Sequence, residues 1–364
     1  MSAADTSAAA QPQAGDAHGA YLAYRRRTTV RVGILFALAA VVAVVFVYSL
    51  TVGPIPYTFG EVVHGLLNPG EDSQLATVMN NLRLPPALIA MLVGAALSLA
   101  GMQMQTILNN PLAEPFTLGI SAAAALGASV MIVTGIALPV IPHFTLPVAA
   151  TVAALGASGI IAAVARMRSV TKETVVLLGI ALVFTCQALL ALMQYRATTE
   201  SLQQIVFWSM GSTMRGTWPA VYTVGLALLV ATPLFWINGW RLTAITLGDS
   251  RAAAMGVNIS AVRSWTLVGV SVLAALSVAF VGIIGFIGLV GPHIARSLVG
   301  EDQRFLIPAS LLTGAALLSG AHVASQLLVP GVALPVGIVT ALVGVPVFLS
   351  ILLQCHRSAL KGAA

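Results

Sequence analysis

Charged residues are scarce in this chain: 8% of its 364 positions carry Asp, Glu, Lys or Arg, against about 25% in soluble domains. Only two are lysines, Lys172 and Lys361, and they follow Thr171 and Leu360. The GxxxxGK[ST] loop that cradles nucleotide phosphates is therefore absent, which excludes ATP hydrolysis by that route. The 11 acidic residues fall in tails and connecting segments, whereas ion-driven carriers place ionisable groups at mid-membrane. The two cysteines, Cys186 and Cys355, lie within or at the end of apolar runs on opposite sides of the membrane, so neither a disulfide framework nor a zinc site is indicated.

Apolar residues fill the space that charge leaves, at 58% of the chain. A helical span needs about 20 of them, and ten candidate spans run over residues 32–50, 87–107, 118–136, 146–165, 175–194, 219–236, 265–284, 286–299, 306–328 and 336–354. The expected fold is all-α and polytopic, with about ten transmembrane helices. Residues 1–24, rich in Ala, Ser, Gln and Gly, read as a disordered tail before a membrane domain over 25–364. The Arg cluster and apolar run that follow resemble a signal peptide, but the run is span length and no cleavage pattern follows it, so it reads as a retained helix.

With the N-terminus inside, Arg25, Arg26, Arg27, Arg31, Arg166, Arg168, Lys172, Arg241, Arg251, Arg263, Arg296, Arg304, Arg357 and Lys361 all face the cytoplasm, and Arg83, Arg196 and Arg215 face outward. That asymmetry obeys the positive-inside rule and puts both termini in the cytoplasm of a multi-pass inner-membrane protein. The net charge of +6 then follows from topology and lipid headgroups, with no call for nucleic acid.

Three blocks interrupt the apolar pattern. In residues 83–128 a polar turn, Asn109-Asn110-Pro111-Leu112-Ala113-Glu114-Pro115, separates two spans; Pro removes a backbone donor, and unpaired polar groups are costly in lipid. Residues 242–264 are too polar to cross, and Gly248-Asp249, an Ala-rich stretch and Gly256 outline a two-turn helix outside the bilayer. A helix that short is marginal alone and calls for a partner surface. Residues 282–310 combine a Gly-rich turn, Pro292-His293, Arg296 and Asp302-Gln303-Arg304. Two small-residue runs, 94–101 and 314–321, would let helix backbones approach closely.

In order, these blocks, with Phe207-Trp208-Ser209-Met210-Gly211-Ser212 and the closing 334–353, resemble the FecCD-type permeases, the membrane subunits of ATP-driven importers for iron-siderophores, haem and cobalamin. The resemblance runs from about Arg83 to the C-terminus. It implies a transporter subunit rather than an enzyme, paired with a second, identical permease, two ABC ATPases that use ATP and Mg, and an extracytoplasmic substrate-binding protein, moving a ferric siderophore or else haem or cobalamin. No cofactor or metal bound by this chain is implied. Carried over by position, Asn110, Pro111 and Leu112 form the cytoplasmic gate. Leu247, Gly248, Asp249, Arg251, Ala253, Met255 and Gly256, within a helix over 247–258, dock the ATPase. Gln187, Gln194, Thr198, Thr199 and Gln203 border the pathway.

The chain departs from the family where the binding protein docks. Pro86 stands in place of a second Arg, and His322, Gln326 and Ala333 align with an Asp, an Arg and a Glu. Arg83 is left as the main basic anchor there, with Arg196 and Arg215 as substitutes. Gln103, Gln105, Gln187, His293 and His322 lie in or near spans, where helix-to-helix hydrogen bonds account for many such residues. A rival of another class, an intramembrane serine protease, would use Gly156-Ala157-Ser158-Gly159 with His322 as base, but the Gly expected after the Ala-His pair is Ser325.

Overall fold

Inside a bilayer no water satisfies backbone N–H and C=O groups, so a segment this apolar crosses as a helix. The computed structural model describes residues 14–68, 74–138, 144–165, 167, 172–329 and 331–362, and among them there is no strand. The helices are α1 (Ala14–Thr51), α2 (Phe59–Leu67), α3 (Gln74–Thr77), a π-turn (Val78–Arg83), α4 (Leu84–Leu108), α5 (Ile120–Thr134), α6 (Thr145–Ala165), α7 (Lys172–Arg196), α8 (Thr199–Ser209), a 3-10 turn (Thr213–Arg215), α9 (Trp218–Ile237), α10 (Gly239–Thr246), α11 (Asp249–Ala254), α12 (Ile259–Val281), α13 (Ile287–Val299), α14 (Gln303–Leu327) and α15 (Val336–Gly362).

Each of the ten expected spans is one of these helices. Seven are long and apolar enough to cross a membrane, and Ile120–Thr134, Ile287–Val299 and Val336–Ser350 are shorter apolar helices. Two expectations need correction. Helix α1 begins at Ala14, so residues 14–24 are helical rather than a disordered tail; residues 1–13 lie outside the described residues. The second span is longer than its apolar core, because α3, the π-turn and α4 form one continuous helix from Gln74. Pro85 and Pro86 occupy its inner positions. They lack N–H donors and would clash with carbonyls four residues back. The ladder widens before them, and the Leu84 N–H reaches back five residues to Met79 O.

Helix α4 is the axis of the bundle, packed by α1, α9, α12, α13 and α14. The two small-residue runs face one another. A Cβ at Gly94 would run into the Gly314 carbonyl, one at Gly314 into the Gly94 carbonyl, and one at Gly101 into the Gly288 carbonyl of α13. Lipid tails are as apolar as Leu, so helices associate here through close backbone approach rather than hydrophobic transfer. Toward the C-terminal end of α4 the same helices exchange polar contacts. Gln103 donates to Gln303 Oε1 at 3.3 Å, Gln303 to Thr106 Oγ1 at 3.3 Å, Gln105 to the Gly288 carbonyl at 3.4 Å, and Arg296 to Gln105 Oε1 at 3.0 Å. Gln103 and Gln105 thus take up the helix-to-helix role expected of them, at about 0.6 kcal/mol per bond.

The opposite end is fastened by Arg83. Its guanidinium donates to the Leu50 carbonyl at 2.6 Å and to the Ile55 carbonyl, and lies 4.6 Å from the Tyr57 ring centroid. One side chain thereby closes the loop between α1 and α2. Nearby, Trp218 Nε1 donates to the Asn80 carbonyl at 3.0 Å. His322, buried, has Thr213 Oγ1 2.8 Å from Nδ1 and the Gln326 amide nitrogen 3.1 Å from Nε2, a set satisfied when Nδ1 carries the proton.

Two stability predictions follow from these contacts. Gly94→Val should push α4 off α14 and cost about 1–3 kcal/mol, seen as a lower melting temperature in detergent; an unchanged melt would mean that the approach is not tight. Arg83→Lys, which cannot span two carbonyls with a planar fork, should speed amide exchange across residues 52–57 and leave the centre of α4 protected. Equal exchange in both proteins would remove Arg83 from that role.

Candidate functional site

The polar turn after α4 is built by residues that stop a helix. Asn109 adopts a left-handed conformation (φ 47°, ψ 44°), with its N–H turned back to Gln105 and Thr106 carbonyls, a common helix-ending geometry for Asn ahead of a Pro. The Asn110 N–H donates to the Gln105 carbonyl at 3.1 Å, its Oδ1 accepts from the Leu112 N–H at 3.0 Å, and its carbonyl accepts from Ala113 N–H at 3.2 Å. Pro111 is exposed, and Asn110 and Leu112 are half-buried. The expected gate residues therefore form the tip of one rigid turn.

Beside it stands the expected docking helix. Helix α11 is six residues long and bounded by Gly248 (φ 101°) and Gly256 (φ 80°), both in conformations that favour glycine. Ala252 is fully buried beneath it, while Arg251, Ala253 and Met255 face out, with Leu247 exposed just before. The preceding α10 escaped sequence reading, since Gly239-Trp240-Arg241 looks like the end of a span rather than a helix start.

What joins helix to turn is Arg263 of α12. It grips Asp249 with two bonds, 2.9 and 3.0 Å, and its Nε donates to the Ile107 carbonyl at 3.0 Å, in the last turn of α4. Sequence reasoning counted Arg263 only among the positive charges of one side. Its spacing of 14 residues from Asp249 and 156 from Ile107 leaves no pattern to read. Arg296 plays a similar part at the same end, held by Glu301 at 2.9 Å as well as by Gln105.

Glu114 corrects the expectation that acidic residues stay clear of the interior. It lies in the connection between α4 and α5, yet only 7% of it is exposed. Burial pushes its carboxyl up to about 7, and the nearby Phe286 backbone amide pulls the other way.

The expected pathway residues lie elsewhere. Gln187 and Gln194 lie on α7, the first exposed and the second half-buried, and Thr198, Thr199 and Gln203 are exposed at and after the start of α8. Thr198 caps α8, its side chain accepting from Ser201 N–H at 3.2 Å. Gln203 opens onto an apolar cavity of about 890 Å³ with Phe144, Phe207, Trp208, Phe280 and Arg215. Arg215 donates to the Phe207 carbonyl at 2.7 Å and the Trp208 carbonyl at 3.5 Å, closing the end of α8. Of the three arginines expected to face outward, Arg83 and Arg215 are thus engaged by backbone carbonyls and Arg196 is exposed. The protease rival finds no geometry: Ser158 donates to Ala154 O at 2.9 Å, one turn back, and His322 is held by Thr213 and Gln326.

The arrangement is a bundle of apolar helices with a polar turn and an exposed short helix joined through Arg263, and comparison with known proteins places it. The sequence profile of the FecCD transport family matches residues 41–354. The uncharacterized ABC transporter permease YvrB of Bacillus subtilis strain 168 is 38% identical over 331 residues, 90% of this chain and 93% of its own. The hemin transport permease HmuU of Yersinia pestis is 35% identical, over 79% of this chain and 87% of its own. A solved inward-facing structure of a metal-chelate type ABC transporter superposes with a TM-score of 0.78 at 29% identity, covering 88% of this chain and 99% of that one. With a family match over most of its length, relatives aligned nearly end to end and the same helical architecture, this chain belongs to the FecCD transport family, as a polytopic membrane permease of the ABC importer type.

Proposed function

We propose that this chain is the permease subunit of an inner-membrane importer that passes a ferric siderophore from an external binding protein to the cytoplasm by alternating access. ATP is hydrolysed, with Mg, by two separate ATPase subunits beneath a pair of identical permeases. The observation that carries this reading is the chain of contacts from α11 through Asp249 and Arg263 to the Ile107 carbonyl beside the turn at Asn110-Pro111-Leu112. A push on the exposed face of α11 reaches the turn through bonded groups, and the anchor is polar and directional, as a coupling element requires. Both termini lie in the cytoplasm in this reading, on the arginine distribution. Neighbours support a chelated iron: a relative is the Fe(3+)-citrate import permease YfmE of Bacillus subtilis, and the superposed structure is of metal-chelate type. Others act in hemin transport and vitamin B12 import. The cargo is therefore assayed directly, by uptake of ferric siderophore, hemin and cyanocobalamin into proteoliposomes holding the permease, its ATPase and its binding protein.

In those vesicles Arg251→Glu and Ala253→Trp should insert and assemble normally but lower uptake per ATP roughly tenfold, inside the usual range of coupling free energies. Unchanged uptake and hydrolysis in both variants would dismiss α11 as the coupling helix. For the turn, Leu112→Cys should form an oxidative cross-link between the two permeases, since a disulfide needs Cα atoms within about 7 Å, and its yield should change when ATP binds. A transporting Leu112→Cys protein that never cross-links, with or without nucleotide, would place the gate elsewhere.

A further inference from the structure

Between α9 and α12 lies a crevice of about 570 Å³ whose two ends differ in chemistry. Its length is apolar, walled by Ala227 and Leu234 of α9 and by Trp265 and Val272 of α12. Its mouth is polar, with Asn238, where α9 ends, and Arg241 of α10. The floor is closely packed. Phe235 is buried there, its ring centroid 5.6 Å from that of Trp265, and a Cβ at Gly269 would stand 2.9 Å from the Phe235 ring. Val230, Leu234 and Val268 are exposed along the rims, so the crevice opens to whatever surrounds the bundle.

The mouth is prepared for an anion. The Asn238 amide donates to the Leu234 carbonyl at 2.9 Å and its Oδ1 accepts from Arg241 Nη1 at 2.8 Å, while the guanidinium carbon lies 5.4 Å from the Trp240 ring centroid. Those contacts hold the guanidinium in place but leave its charge unneutralised: no ion pair among the described residues includes Arg241. Trp236 and Trp240, on either side of Asn238, are both exposed, and indoles at the end of a span settle at the level of lipid headgroups. From Asn238 back to Ala227 the helix covers about 16 Å, against about 15 Å for half of a hydrocarbon core. The crevice is therefore as long as one leaflet is deep, with its cation at headgroup level.

We propose that this crevice binds an anionic phospholipid, with one acyl chain lying between α9 and α12 and the phosphate on Arg241. Both halves of the ligand are needed. A soluble phosphate compound would meet the arginine but leave the apolar length empty, and a zwitterionic lipid would fill the length but bring its own cation to the mouth. Bound there, the lipid braces the elbow at which α9 gives way to α10, the helix that leads into α11. The binding does not depend on the importer reading.

The test uses the full chain in nanodiscs of phosphatidylcholine, into which phosphatidylglycerol brominated on an acyl chain is titrated, since bromine quenches an indole that it touches. Trp265 is one of five tryptophans, so each protein is measured with and without Trp265→Phe, and the difference is the Trp265 signal. That signal should fall at low mole fractions of the brominated lipid and then saturate. Arg241→Gln should raise the half-saturating fraction roughly fivefold, the weight of one arginine near anionic lipid; Arg241→Met repeats the measurement if the Gln variant does not assemble. Arg25→Gln, which removes an exposed arginine of α1, should leave that fraction unchanged. Val268→Phe, on the wall, should lower the maximum quenching by filling the crevice. Brominated phosphatidylcholine should quench only in proportion to its share of the bilayer. Equal quenching by the two lipids, or the same phosphatidylglycerol curve in the Arg241 variant and the unsubstituted protein, would overturn the proposal and leave only unselective boundary lipid. An absence of Trp265 quenching by either lipid would overturn it as well, and would point to a second copy of this chain covering the crevice.

Discussion

The close approach of α4 to α14 and α13 is the constraint on which the rest depends. Backbones meet at Gly94 with Gly314 and at Gly101 with Gly288, at separations that leave no room for a methyl group. In lipid this is where association energy comes from, since dispersion and carbonyl contacts replace the hydrophobic transfer that folds soluble proteins. Once the axes are that close, the glutamines of α4 fall within reach of Gln303, Arg296 and the Gly288 carbonyl, so polar groups that would be ruinous facing lipid become cross-links. The same proximity delivers the end of α4, and the turn after it, to Arg263 and to the head of α13.

Much of this was legible in the residues, for identifiable reasons. Ten apolar runs announced ten helices because a bilayer leaves a span no other way to satisfy its backbone. The small-residue runs were readable as packing surfaces, although their partners were not: nothing along the chain says that Gly94 meets Gly314 while Gly101 meets Gly288. The turn at Asn110-Pro111-Leu112 and the Gly-bounded helix at Asp249–Ala254 were visible because proline and glycine act locally. Tertiary links were not. Arg263 looked like one positive charge among many, nothing along the chain announced the bonds of Arg83 to the Leu50 and Ile55 carbonyls, and Glu114 looked like a loop acid rather than a buried one. Each of these depends on what another part of the chain places nearby.

Arginine's division of labour distinguishes the two ends of the bundle. At one end Arg263 and Arg296 meet carboxylates as well as neutral oxygens, the first gripping Asp249 and the second Glu301. At the other, Arg83 and Arg215 bond only to backbone carbonyls, and the positions aligned with the family's docking charges hold His322 and Gln326, whose side chains bond to each other. The guanidinium groups of Arg83 and Arg215 are thus spent inside the fold, and in the importer reading a binding protein that docks there would be recognised more by shape and neutral contacts than by long-range attraction to these two charges.

Helix α1 has 38 residues, about 57 Å at 1.5 Å each, nearly twice a hydrocarbon core of about 30 Å. Its four arginines, at 25–27 and 31, mark where it leaves the membrane, and Arg31, 3.9 Å from Asp302 and 5.3 Å from the Phe305 ring centroid, pins that point to the start of α14. The turns before Arg31 form a strut about 25 Å long. A group attached along residues 14–24 is held off the lipid surface at a height that the stiffness of the helix sets.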